Sequence, residues 1–170
     1  MFLLLEVIKN KLMSTRNIKR SVVKNSALRK LVMQINKGGV TYSPLLDKDY
    51  GGTQYLAIAP FPERSQTFTG KATGKMVNGY CEKNRDLLKK GFPLGAWFNA
   101  NDGKTYLDVV TTISVEKQEE AITLGKNANQ IAGFNLSDFT EIPLGGTGEF
   151  NDSLVTPFEE RLEEASALMG

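Results

Sequence analysis

The chain has 170 residues, is 41% apolar and 24% charged, and carries a formal net charge of +2; this is the make-up of one globular domain with a continuous core and excludes a disordered or fibrous chain. There is one cysteine, Cys81, and no histidine, which excludes Ser-His-Asp and Cys-His catalysis within the chain, the usual zinc sites and any internal disulfide. A lone cysteine points to a reducing, cytoplasmic setting.

The first region, residues 1–39, is basic. It opens on Met1-Phe2-Leu3-Leu4-Leu5 before Glu6 interrupts the apolar run. That run lacks the basic start, longer apolar stretch and cleavage site of a signal peptide, and falls far short of the ~20 apolar residues of a spanning helix, so no membrane association is expected. Two readings stand side by side: Met13 is the true start, or residues 1–12 form a short amphipathic helix. Lys9, Lys11, Arg16, Lys19, Arg20, Lys24, Arg29, Lys30 and Lys37 face only Glu6, a local charge of +8. Leu28, Leu31, Val32 and Ile35 recur at helical spacing and predict a helix over Ser26–Lys37, capped by Ser26 and ended by Gly38-Gly39.

The second region, residues 40–140, is the expected α+β core. Tyr55–Ala59 reads as a strand stopped by Pro60, and residues 61–73 as a loop. A helix is predicted from Gly74 to Lys90, with Met76, Val77, Tyr80, Cys81, Leu87 and Leu88 on one side and Gly91 closing it. Leu94–Asn99 and Lys104–Ile113 read as two strands. Asp102-Gly103 between them supplies the positive φ of a tight hairpin turn. Ser114 is placed to cap a helix whose early turns hold Glu116, Glu119 and Glu120, where the helix dipole favours negative charge. Asn129 ends that helix, and Ile131–Leu136 is the last strand.

The third region, residues 141–170, is acidic. Leu144–Gly148 reads as a flexible linker, and Phe158–Met169 as a helix with Phe158, Leu162, Ala165 and Met169 on one side. Seven acids, Glu141, Glu149, Asp152, Glu159, Glu160, Glu163 and Glu164, stand against Arg161 alone, a local charge of −6. The two ends oppose each other in sign, which suits packing within one molecule, self-association or an outside partner. Between them the β-α-β-β-α-β order predicts a four-stranded antiparallel sheet of ferredoxin-like type with both helices on one face, extended by helical segments at either end.

Five groups of residues are candidates for chemistry. Gly70-Lys71-Ala72-Thr73-Gly74-Lys75-Met76 departs from a phosphate-binding loop twice, by a three-residue gap between its glycines and by Met76 after the lysine. It leaves Lys71 and Lys75 as candidates for a modest anion site at a helix N-terminus. Asp47, Asp49, Asp102 and Asp108 do not follow a calcium loop, and no metal or other cofactor is expected. Asp108 lies inside an apolar strand, in phase with Tyr106 and Val110, so it faces solvent or does chemistry. Tyr106, Trp97 and Tyr55 could line an open sheet face, as stacking aromatics do in RNA-recognition modules; Trp97 and Tyr106 could instead be a cross-strand pair or be buried beneath the terminal helices, and burial is the favoured expectation. Cys81 falls on an apolar helix face and reads as inert packing.

Residues 94–136 carry Gly95-Ala96-Trp97, Asp102-Gly103-Lys104, Tyr106-Leu107-Asp108, Glu120-Ala121, Leu124-Gly125, Asn129-Gln130 and Phe134-Asn135-Leu136. In these motifs the segment resembles a module of small phage and mobile-element proteins that have no settled activity. The resemblance implies a phage setting, in the host cytoplasm or a virion, and assigns no catalytic residue.

Three functions follow as expectations. The first is a non-enzymatic binding protein acting through protein contacts or self-association. The second is a nucleic-acid-binding protein using Arg16, Lys19, Arg20 and Lys24 with Tyr55, Trp97 and Tyr106. The third is a carboxylate- or metal-dependent enzyme built around Asp108.

Overall fold

In the computed structural model, which describes residues 20–170, the first described element is the helix its apolar stripe predicts. Helix α1 (Asn25–Asn36) buries Leu31 and Ile35 one turn apart. Ser26 does not cap it. Lys24 holds the cap position without a side-chain bond, and its carbonyl accepts from Ala27 and Leu28 N–H. Burial of Val23, 1% exposed, fixes where the chain turns into the helix and moves the start ahead of Ser26.

Strands β1 (Val40–Ser43) and β2 (Lys48–Asp49) form a hairpin that the sequence does not announce. Its turn runs through Asp47 at φ 49°, a left-handed residue without glycine, held by the Tyr42 hydroxyl donating to Asp47 Oδ1 at 2.5 Å. Strand β3 (Tyr55–Ile58) leads through a 3-10 turn at Pro62–Arg64 to β4 (Gln66–Thr69), so the stretch expected as a loop contains an edge strand.

The helix predicted to reach Lys90 is two helices, α2 (Gly74–Lys83) and α3 (Arg85–Leu88). The break is Asn84, 2% exposed, whose side-chain amide donates to the Tyr80 carbonyl at 2.9 Å. An asparagine that bonds its own helix in this way competes with the backbone ladder. Gly91, at φ 105°, then ends the pair.

Strands β5 (Leu94–Asn99) and β6 (Lys104–Val109) form the expected hairpin, with Asn99 opposite Lys104. Its loop has four residues, and only Gly103 takes positive φ, at 68°. Asp102 contributes its carboxylate, which accepts from Lys104 N–H at 2.9 Å. After Val110 comes β7 (Thr111–Ser114), then a 3-10 turn at Val115–Lys117 capped by Ser114, then α4 (Gln118–Asn127). Strands β8 (Ala132–Asn135) and β9 (Thr140–Pro143) form a third hairpin, so the strand expected to be the last has a partner after it, and α5 (Phe158–Leu168) follows.

The nine strands form two antiparallel sheets, ordered β2-β1-β5-β6-β4 and β7-β3-β8-β9. The single four-stranded sheet expected from the element order is therefore replaced by a five-stranded and a four-stranded sheet. The division falls at Val110, whose N–H still bonds the Pro93 carbonyl at 2.9 Å, in register with the β5–β6 ladder. Helix α1 packs on α2, β1 and β5, while α4 packs on β3, β7 and β8. One core joins both halves: Leu31, Ile35, Leu94, Leu107 and Val109 share it with Leu56, Ile58, Ile113, Leu124 and Ala165.

Residues 144–170 close against this core. Asn129, at φ 53°, ends α4 as expected. Its side chain then bonds Thr147 Oγ1 at 2.6 Å and the Glu149 carbonyl at 3.0 Å. Gly146 lies so close to Asn129 that an added Cβ would fall 2.4 Å from the Asn129 carbonyl. Leu144–Gly148 is thus a fitted segment and not a flexible linker. Arg161, 1% exposed, docks α5 with Nη1 and Nη2 on the two Glu63 carboxylate oxygens at 2.6 and 2.7 Å. It also donates to the carbonyls of Pro60 at 2.6 Å and Thr156 at 2.8 Å. Beyond α5, Gly170 and Thr112 bond to each other along the free side of β7.

Candidate functional site

Alternation along β5 and β6 decides which side chains meet the solvent. Ala96, Thr105, Leu107 and Val109 point inward and are buried; Trp97, Tyr106 and Asp108 point to the other face of the sheet. Trp97 and Tyr106 stand directly opposite each other across the ladder. Their rings stack at 5.2 Å between centroids and 22° between planes. Trp97 is 44% exposed, which corrects the expectation that the terminal helices bury this pair; α1 packs on the inner side of β1 and β5, and α5 packs on α4 and β7.

The pair is held rigidly. The Tyr106 hydroxyl donates to the Asp102 carboxylate. That bond holds Asp102 below the usual carboxylate range and raises the Tyr106 phenol. On the other side, a methyl added at Gly39 would come within 3.0 Å of Trp97 Cβ, so the backbone after α1 closes one side of the indole's base. A cross-strand aromatic stack of this kind contributes ~0.5–1.5 kcal/mol beyond its area.

Tyr55 does not join them. It sits in the other sheet, opposite Ser114. There it packs edge-on against Tyr50 at 5.8 Å, with Lys48 Nζ 4.5 Å from the Tyr50 ring centre.

Asp108 is half-buried on the same face as Tyr106 and opposite Gly95. Burial pushes its carboxyl above the ordinary range, and the Ser65 hydroxyl, which donates to it, pulls it part of the way back. Asp108 forms no ion pair among the described residues. Its hydroxyl partner fits a desolvated structural acid better than one half of a general acid–base pair. Among the described residues no group of three or more Cys, Asp or Glu side chains could hold a metal ion. Cys81 is fully buried, and burial pushes its thiol up to about 12, which leaves it protonated and unreactive.

Lys71 and Lys75 are exposed on either side of the α2 start. The first-turn Met76 N–H there is already taken by the Thr73 hydroxyl at 3.2 Å. Lys24 is exposed just ahead of α1, and Arg20 is the first described residue; Arg16 and Lys19 lie outside the described residues. The Arg20 carbonyl accepts from Arg85 Nη2 at 2.7 Å, and Val22 N–H donates to Glu82 at 2.9 Å. The basic segment therefore enters the fold beside the α2–α3 break.

That break forms a shallow groove of about 540 Å³ lined by Arg64, Lys83, Asn84, Arg85, Asp86 and Lys89. Sequence reading passed over this cluster because its members come from two separate stretches, and Arg64 joins the others only through tertiary structure. Ser65, the partner of Asp108, was hidden for the same reason. Among the described residues no helix is long and apolar enough to cross a membrane.

Comparison with protein-family models, curated proteins and solved structures finds no match.

Proposed function

We propose that this protein is a non-enzymatic binding module of a phage or mobile element, acting in the host cytoplasm and engaging a protein partner through the outer face of β5 and β6. The observation that carries this reading is the exposed Trp97, stacked on Tyr106 and braced by Asp102 and Gly39. Tryptophan and tyrosine are the side chains most enriched among residues that dominate interface energies. A pre-ordered aromatic also loses little conformational freedom on binding. The lone hydroxyl partner of Asp108 supports a binding role over a carboxylate-based enzyme.

We also read β6 and β7 as one strand bent at Val110. Leu107, Val109, Thr111 and Ile113 fall at every second position and are all fully buried, with Val110 and Thr112 buried between the later ones. On that reading β8, β3, β6–β7 and β5 stand side by side, with β1, β2, β4 and β9 added around the ferredoxin-like arrangement expected from the element order.

The test is affinity capture from a lysate with nuclease present, comparing the wild-type chain with Trp97→Ala at matched folding by circular dichroism. A protein partner retained by the wild type should be weakened by roughly 30-fold or more in Trp97→Ala, the size expected of a dominant interface residue. Equal capture by both chains refutes the sheet-face reading. A partner that vanishes on nuclease treatment transfers support to the nucleic-acid reading, in which the same aromatics stack on bases.

A further inference from the structure

We infer that the groove at the α2–α3 break is a binding site for the phosphate backbone of nucleic acid, separate from the aromatic sheet face. Four of its six lining residues are cationic, and Asp86 is the only acid among them. The two arginines are fixed in position. Arg64 is paired with Asp86 through two bonds of 3.0 and 2.9 Å and also bonds Asn84 at 3.1 Å. Arg85 is held by Glu82 at 2.5 Å and by the Arg20 carbonyl.

Lys83 and Lys89 differ from them. Both are exposed, and neither forms an ion pair among the described residues. The groove thus presents two uncommitted ammonium groups on a floor of anchored guanidinium groups, a surface complementary to consecutive phosphates. Arg20, itself cationic, enters the fold at this groove, where its carbonyl and the Val22 N–H are both bonded to the rim. A net charge of +2 over the whole chain hides this concentration of positive charge, which is what attracts a polyanion locally.

The experiment is fluorescence anisotropy of a labelled oligothymidine of about 20 nucleotides, a length above typical single-strand site sizes, titrated with the full chain at several salt concentrations. The wild type should bind with affinity that falls as salt rises. Lys83→Glu combined with Lys89→Glu should weaken binding about tenfold at low salt. It should also reduce the slope of log affinity against log salt by about 1.4, or two phosphate contacts at ~0.7 each. Lys83→Gln with Lys89→Gln, milder changes at two exposed positions, should show the same slope change if charge reversal disturbs folding. Trp97→Ala should bind as the wild type does, so this proposal and the sheet-face reading can fail separately. No binding by the wild type overturns the inference, as does binding unaffected by either pair of substitutions. A polyglutamate of matched charge that competes as well as unlabelled oligonucleotide would assign the groove to acidic protein and overturn it too.

Discussion

Replacing Arg161 with methionine tests what holds α5 to the rest of the molecule. The substitution keeps most of the apolar stem and removes the guanidinium. Four hydrogen bonds go with it: two to Glu63, one to Pro60 and one to Thr156. Breaking a buried ion pair by removing one partner costs about 3–5 kcal/mol, because the other charge is left stranded. Here the Glu63 side chain is 19% exposed while that of Arg161 is 1% exposed, so the orphaned carboxylate recovers some water and the expected loss sits near the lower end, about 3 kcal/mol. Glu63→Gln keeps the shape but leaves the more deeply buried guanidinium without a countercharge, so it should cost at least as much, about 3–5 kcal/mol. The double variant should be less destabilised than the sum of the two single ones, with a coupling of about 1–2 kcal/mol. Urea unfolding followed by far-ultraviolet circular dichroism reads all four corners of the cycle. A loss under about 1 kcal/mol for Arg161→Met, together with strict additivity, would show that apolar contacts of Phe158 and Ala165 hold the helix and that the ion pair is incidental.

Gly146→Ala should destabilise the protein by about 1–3 kcal/mol as an overpacking change, since the new Cβ meets backbone atoms of Asn129 and Gln130 at 2.4 Å. An unchanged urea midpoint, with no faster hydrogen exchange at Thr147 and Gly148, would mean the segment is a loose linker after all. Asp108→Asn should stabilise the protein at neutral pH. Burial raises the Asp108 carboxyl in the folded state, so the fold binds that proton more tightly than the unfolded chain does, and stability falls as pH rises through the raised value. The advantage of the asparagine should close as pH drops below the ordinary aspartate value of ~3.9; an advantage that is absent at neutral pH, or that persists in acid, contradicts the assignment.

What could be read from the sequence was local. Gly103 sits where the hairpin needs positive φ, Asn129 ends its helix in the left-handed region, and the α1 stripe buries the residues its spacing selects. The misses are all places where a distant partner decides the outcome. The β1–β2 turn depends on Tyr42 reaching Asp47, and β4 becomes a strand because β6 offers it a ladder. Asn84 splits a helix with good periodicity by bonding the Tyr80 carbonyl with its amide, while Arg64, twenty positions earlier, bonds its side-chain oxygen. Trp97 and Tyr106 were recognised as a pair, but nothing local says whether another element covers them. Charge counting singled out Arg161 as the lone cation of an acidic segment. Its meaning, an anchor to Glu63, required knowing that Phe61 and Phe158 pack together at a tilt, with ring centres 5.3 Å apart.

Among the described residues no ion pair joins the basic end to the acidic one. The acidic end is anchored by its one arginine to Glu63, which leaves Glu160, Glu163 and Glu164 together on the outer surface of α5. The basic end meets the fold at the α2–α3 groove, where each arginine is matched to a carboxylate. Arg64 holds Asp86 below its ordinary range. Burial works against ionisation of Glu82, but the Val22 N–H and Arg85 together outweigh it and hold Glu82 low as well. Both acids are thus driven away from neutrality, and the chain has no histidine to titrate there. The carboxylates at the groove keep their charge across the physiological range, and the contacts they make are lost only as pH falls through their depressed values. Attraction of a polyanion to this site is then governed by salt and hardly at all by pH between about 6 and 8. A strong pH dependence in that interval would place the binding charge elsewhere on the molecule.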